Sequence, residues 1–90
     1  MLYPNSPNPF NPTTELRFAV GQPGQVQLAV YNVRGNLIRR LVNEYLTAGV
    51  RQIVWNGTDG RGAPVGSGTY LVRLTTDRPE RAVRKIVLLK

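Results

Sequence analysis

TTELRFAVGQPGQVQLAVYNV, residues 13–33, decides the fold, because two runs of strict alternation flank a turn made of glycine and proline. Leu16, Phe18 and Val20 alternate with Glu15, Arg17 and Ala19, and Val26, Leu28 and Val30 alternate with Gln25, Gln27, Ala29 and Tyr31. A period of two is the signature of a strand with one face buried. Gly21-Gln22-Pro23-Gly24 supplies the reversal between the runs, so this stretch predicts two consecutive antiparallel strands.

The same grammar extends toward the C-terminus. Arg34-Gly35-Asn36 tolerates the positive φ of a short hairpin loop. Leu37–Leu46 is ambiguous, since Leu37, Ile38, Leu41, Val42, Tyr45 and Leu46 also fit the spacing of an amphipathic helix. The absence of a capping box and the neighbouring strand signals favour a strand over Leu37–Val42. Ala48-Gly49 turns the chain into Val50–Trp55, which places Ile53 and Trp55 on one face, with the indole as a core residue. Gly57, Gly60, Gly62, Gly66 and Gly68 then crowd a loop. That loop lacks the lysine and the following helix of a phosphate cradle, and Asn56-Gly57-Thr58 reads as a turn although it matches a glycosylation acceptor. Thr69–Thr76 directs Tyr70, Val72 and Leu74 inward, and Asp77-Arg78-Pro79-Glu80 turns into a last strand, Arg81–Leu89. Its consecutive Ile86, Val87, Leu88 and Leu89 predict a strand covered on both faces.

Toward the N-terminus the signal changes. Pro4, Pro7, Pro9 and Pro12 alternate with asparagines and a serine, which excludes a helix or a central strand. Residues 1–12 read as a Pro/Asn-rich arm or linker whose Tyr3 and Phe10 return to the body, with an undocked interdomain linker as the alternative. Met1 reads as a start placed before a piece of a longer protein. The whole is an all-β chain, an immunoglobulin-like antiparallel β-sandwich of about seven short strands over residues 13–90.

Composition narrows the chemistry. Ninety residues suit one small domain, and without cysteine its stability must come from sheet pairing and core contacts. With no histidine and no cysteine, the usual neutral-pH base, the thiol nucleophile and the soft metal ligands are missing. Glu15, Glu44, Asp59, Asp77 and Glu80 are scattered singly, so neither a calcium loop nor an acid/base pair is written in the sequence. The expectation is no enzyme, no cofactor and no metal. A net charge of +7 attracts polyanions without choosing among them. No five-residue basic run exists, so nucleic acid is not expected; a rival reading joins Tyr31 and Tyr45 with Arg39 and Arg40 as a polyanion-binding face. No apolar run is long enough for a transmembrane helix, and no secretory leader opens the chain.

Several motifs together carry a resemblance. Asn8-Pro9-Phe10-Asn11-Pro12-Thr13-Thr14, after Tyr3-Pro4-Asn5, is followed by Val30-Tyr31-Asn32-Val33-Arg34-Gly35, by Ala48-Gly49, and by Trp55-Asn56-Gly57. Then come Gly62-x-x-Val65-x-Ser67-Gly68-x-Tyr70 and Lys85-Ile86-Val87-Leu88-Leu89-Lys90. In this order they resemble the C-terminal sorting domains of proteins exported by the type IX secretion system of Bacteroidetes. Ser6-Pro7 departs from the pattern as an insertion within the arm. The immunoglobulin-like domain of flagellar hook-capping proteins is similar from Tyr31 to Tyr70, and the two ends of the chain favour the sorting domain.

The resemblance implies that the domain is a substrate of the outer-membrane translocon. An exported carrier would pass through the periplasm and reach the cell surface or the medium. A transpeptidase of the system would then join the carrier to anionic lipopolysaccharide. It further implies that Lys85, Ile86, Val87, Leu88, Leu89 and Lys90 form the recognition signal, that Gly66, Ser67, Gly68 and Tyr70 form a family turn, and that Asn8, Pro9, Phe10, Asn11 and Pro12 form the arm motif. An exposed edge strand could be read by main-chain pairing, and the same edge leaves dimerisation open. A spacer or binding module is the alternative.

Overall fold

Alternation at residues 14–32 resolves into two strands, and the remaining signals follow. A computed structural model describes residues 1–78 and 81–90, with β1 (Thr14–Val20), β2 (Gly24–Asn32), β3 (Leu37–Leu46), β4 (Gly49–Trp55), β5 (Gly68–Thr76) and β6 (Arg81–Leu88). All ladders between these strands are antiparallel. They form a two-stranded sheet β1-β4 and a four-stranded sheet β3-β2-β5-β6, the two-layer arrangement expected of an immunoglobulin-like sandwich. Among the described residues six strands stand where about seven were expected, and the arm adds isolated bridges, Leu2 to Phe18 and Ser6 to Glu15, along the free edge of β1. Of the turn expected at residues 77–80, Pro79 and Glu80 lie outside the described residues.

The apolar faces read from the sequence meet in one core. Leu16, Phe18 and Val20 of β1 oppose Val26, Leu28 and Val30 of β2, with Trp55, Tyr70, Val72, Leu74, Ile86 and Leu88 completing the interior. Leu2 and Phe10 reach it from the arm. Trp55 is fully buried between Phe10 and Tyr70, at ring-centroid separations of 5.7 and 5.5 Å, both in the tilted or edge-on geometries that aromatic quadrupoles favour.

β3 is a strand throughout Leu37–Leu46, longer than the Leu37–Val42 expected. Two register shifts against β2, at Leu28/Ala29 and Val30/Tyr31, break its alternation, and such irregularities are why its apolar residues also matched a helical spacing. The last strand also differs from expectation. Ile86 and Leu88 are buried and Val87 is half-buried, but Leu89 lies beyond β6 and is 53% exposed. Val87 lies opposite Thr69 on the outward face, so β6 is covered on one face only.

The arm runs along the free edge of β1 and pairs with the outer edge of β6 at Val87 and Leu89. Ala19 N–H donates to Met1 O at 2.7 Å, Tyr3 N–H to Arg17 O at 2.9 Å, and Ser6 and Glu15 exchange both backbone bonds. The Arg17 guanidinium lies 4.7 Å from the centroid of the Tyr3 ring. Buried Asn5 and Thr14 fix the bend, because Asn5 Nδ2 donates to Thr14 Oγ1 and to Pro7 O while the Thr14 hydroxyl donates to Pro7 O. The Ser6-Pro7, Asn8-Pro9 and Asn11-Pro12 peptide bonds are cis.

Candidate functional site

Three motifs far apart in sequence meet where β6 ends. From the arm, Phe10 N–H donates to Val87 O and Phe10 O accepts from Leu89 N–H, both at 2.9 Å, while Asn8 Oδ1 accepts from Val87 N–H at 3.0 Å. This short parallel bridge occupies the outer edge of β6 beside Val87 and Leu89. The Phe10 ring enters the core, whereas Pro9, Asn11 and Pro12 stay at the surface. Gly57 fixes how closely the arm approaches: its φ is +74°, and a Cβ there would stand 3.0 Å from Pro12 O. Any side chain at Gly57 would therefore strain its own backbone and press on the arm.

The glycine-rich loop supplies the second motif. Ser67 Oγ accepts from Lys90 N–H at 2.9 Å, and Gly68 lies opposite Leu88 in the β5–β6 ladder. The Tyr70 hydroxyl donates to Gly66 O at 2.7 Å, a bond from a strand back to the corner that precedes it. Burial raises the Tyr70 pKa above its ordinary 10.0. The neutral phenol is thus the form that supports the fold: its contribution is complete below pH 10 and is lost as pH rises through the folded value. Tyr70→Phe should cost about 1 kcal/mol in urea unfolding at pH 7. The wild type should lose stability as pH rises above 10, and the variant should lack the part of that loss due to Tyr70.

The third motif, Lys85–Lys90, is divided by the fold. Ile86 and Leu88 are core residues, Val87 and Leu89 bond the arm through their backbones, and Lys85, Leu89 and Lys90 have exposed side chains. Since backbone groups alternate between the two sides of a strand, the N–H and C=O groups of Arg81, Val83 and Lys85 point to the same outer side as those of Val87. Arg84 joins the motifs in a way its sequence position does not signal: its Nε donates to Leu2 O at 2.9 Å, tying β6 to the arm strand. Leu2 likewise carried no sequence signal, and Asn5 and Thr14, although both stand in the quoted motifs, carried none that they bond to each other.

The family profile of the FlgD Ig-like domain matches residues 8–80, from the arm motif to the residue before β6. This chain belongs to the FlgD Ig-like domain family. Solved structures share the fold of this FlgD Ig-like domain. PorU of Porphyromonas gingivalis, crystallised as a latent dimer, aligns with a TM-score of 0.74 at 23% identity, covering 98% of this chain and 9% of PorU. PorZ, described as an essential bacterial surface component of the type IX secretion system of the same organism, aligns with a TM-score of 0.70 at 18% identity, covering 99% of this chain and 11% of PorZ. FlgD of Xanthomonas campestris, a protein of flagellar hook capping, aligns with a TM-score of 0.65 at 21% identity, covering 89% of this chain and 58% of FlgD. No curated protein sequence matches.

The loop of this FlgD Ig-like domain is held by polar bonds. Asp59 Oδ1 accepts from Arg61 N–H and Ala63 N–H, and Arg39 donates to Thr58 Oγ1 and Asp59 O from β3. Those two backbone bonds, with Arg61 and Arg39 nearby, hold the Asp59 carboxyl below its ordinary 3.8. A depressed carboxylate supports the fold above its unfolded pKa and loses that support as pH falls through the folded value. Amide protection at Arg61 and Ala63, taken from NMR exchange relative to the intrinsic rate at each pH, should therefore fall as pH drops below 3.8, and in Asp59→Ala it should be low already at pH 6.

Arg39 is thereby committed to the loop, which removes it from the polyanion face drawn with Tyr31, Tyr45 and Arg40. The two tyrosines also lie toward opposite ends of the β2–β3 ladder, Tyr31 beside Leu37 and Tyr45 beside Gln25.

Proposed function

We propose that this domain is a sorting domain that directs an exported carrier through the periplasm and across the outer membrane by type IX secretion. The observation that carries the reading is the meeting of the arm motif, the Gly66–Tyr70 turn and the Lys85–Lys90 segment on one end of β6. In this reading the domain is substrate and catalyses nothing. An extended receptor segment pairs with the outer backbone groups of Arg81, Val83 and Lys85, while Lys85 and Lys90 add charge. The arm already occupies Val87 and Leu89, so it limits how far such a strand can extend. The translocon and the transpeptidase are the partners. Anionic lipopolysaccharide receives the carrier, which ends at the cell surface or in the medium. The likeness to PorZ, which extends over β6, supports this view.

A second reading, an accessory or spacer module of a secreted or flagellar protein, is favoured by the family match itself, which stops at residue 80, before β6. A reporter with a signal peptide, fused to residues 1–90 and expressed in a host with a functional type IX translocon, separates the two. Truncation within β6 would remove Ile86 and Leu88 from the core, so the informative variant is Lys85→Glu/Leu89→Asp/Lys90→Glu, which changes exposed side chains only. The wild type should reach the surface or medium, and the variant should remain in the periplasm while resisting limited proteolysis as the wild type does. Equal distribution of the two, or export in a translocon-deficient host, would establish the module reading.

A further inference from the structure

Residues directly opposite one another in neighbouring strands share a face, so the register sorts the side chains of the four-stranded sheet into two sets. The outward set forms rows: Leu37, Tyr31, Leu71 and Lys85; Arg40, Ala29, Arg73 and Val83; Asn43, Gln27, Thr75 and Arg81. Arg40, Arg73, Arg81 and Lys85 are its charges, and no carboxylate among the described residues interrupts these rows. The outward face of the other sheet is different. There Glu15 stands against Arg17, with Ala19, Val50, Gln52 and Val54 between and around them. Of the two outward sheet faces, the four-stranded one therefore carries the excess of positive charge.

Two further observations give this face the properties of a site. The Arg73 guanidinium is 4.6 Å from the Tyr31 ring centroid and donates to the Tyr31 hydroxyl at 2.7 Å, so a ring orders it without neutralising it. Ala29, between Arg40 and Arg73, is only 4% exposed although it faces outward, because the longer side chains on either side shadow it. With strands spaced about 4.8 Å apart, Arg40 and Arg73 flank this trough at a strand-to-strand distance of about 10 Å. Gln27, Asn43 and Thr75 line the next row with amides and a hydroxyl.

We propose that this face binds a linear acidic polysaccharide. Its anionic groups pair with Arg40, Arg73, Arg81 and Lys85, and its hydroxyls bond Gln27, Asn43 and Thr75. Single-stranded nucleic acid would need successive open aromatic faces for stacking, but Arg73 covers one side of Tyr31, and exposed Tyr45, beside Gln25, stands alone at the other end of the β2–β3 ladder. A bilayer would need a contiguous apolar group to insert, but Leu37 and Val83, the exposed large apolar residues of these rows, sit on the opposite edge strands β3 and β6.

Titration of the whole chain with polygalacturonate, with neutral dextran, a single-stranded oligonucleotide and phosphatidylglycerol vesicles as comparators, tests the proposal. Arg40→Gln/Arg81→Gln/Lys85→Gln should weaken polygalacturonate binding at least tenfold. Arg34→Gln/Arg61→Gln/Arg78→Gln, which removes the same charge from loops, should weaken it less than threefold. Amide shifts of the wild type on titration should fall on the outward residues of β2, β5 and β6, a readout independent of any variant's folding. Equal weakening by the two variants, tighter binding to the oligonucleotide or vesicles, or shifts confined to β1 and β4 would each overturn the assignment.

Discussion

Phe10→Ala should lower the unfolding free energy by about 3–5 kcal/mol, the usual cost of truncating a buried phenylalanine. A 90-residue domain holds about 5–13 kcal/mol in total at typical per-residue values, so one arm residue carries a large share of its stability. The reason is geometric. The ring is 2% exposed and lies against Trp55, while the backbone on either side of it pairs with Val87 and Leu89. Alanine keeps the N–H and C=O, so those pairings survive chemically and only the ring that seats them is lost. Urea unfolding followed by circular dichroism measures the cost, and amide exchange locates it. Exchange at Leu89 should accelerate more than exchange at Ala19, whose bond to Met1 O belongs to the other end of the arm. A cost below about 1 kcal/mol with unchanged exchange at Leu89 would show that the arm rests on the sandwich without supporting it.

Period-two patterning was legible wherever one face of a strand meets the core and its register is unbroken, as in β1 and β2, whose alternate residues Leu16, Phe18, Val20, Val26, Leu28 and Val30 are all buried. It was not legible in β3, where two register shifts move apolar residues off the alternate positions. β6 misled for another reason. Four consecutive apolar residues look alike in sequence, yet Leu89 lies past the strand end, where the arm takes only its backbone. The arm itself announced extension through its prolines but not its destination, because proline lacks the donor that would mark a ladder. The candidate site shows the same limit more sharply: motifs could be named one by one, but Asn8 bonds Val87 across 79 positions and Ser67 bonds Lys90 across 23. No local pattern encodes such partners.

Trp55→Ala should cost about 3–5 kcal/mol as well, and for a related reason, since the indole is fully buried between the Phe10 and Tyr70 rings and its Nε1 donates to Thr58 O at 2.8 Å. Truncation opens a cavity and leaves a loop carbonyl without its donor, so both the core and the loop beside the family turn should loosen. Trp55→Phe separates these effects. It keeps most of the ring and loses the hydrogen bond, and should cost roughly 1 kcal/mol beyond the small change in buried area. The two alanine variants together would remove about 6–10 kcal/mol, close to everything the domain has, so coupling between arm and core cannot be measured with them. A cycle built on Phe10→Leu and Trp55→Leu removes each ring in turn while losing less buried volume than alanine does, which keeps the variants nearer the folded range. At a centroid separation of 5.7 Å and an interplanar angle of 59° the rings should show an interaction energy of about 0.5–1.5 kcal/mol. Additivity within about 0.3 kcal/mol would mean that the arm and the sandwich contribute separately. A resolved coupling would mean that displacing the arm from β6 also weakens the central aromatic cluster, so that a receptor pairing with the full length of β6 would have to loosen the core to do so.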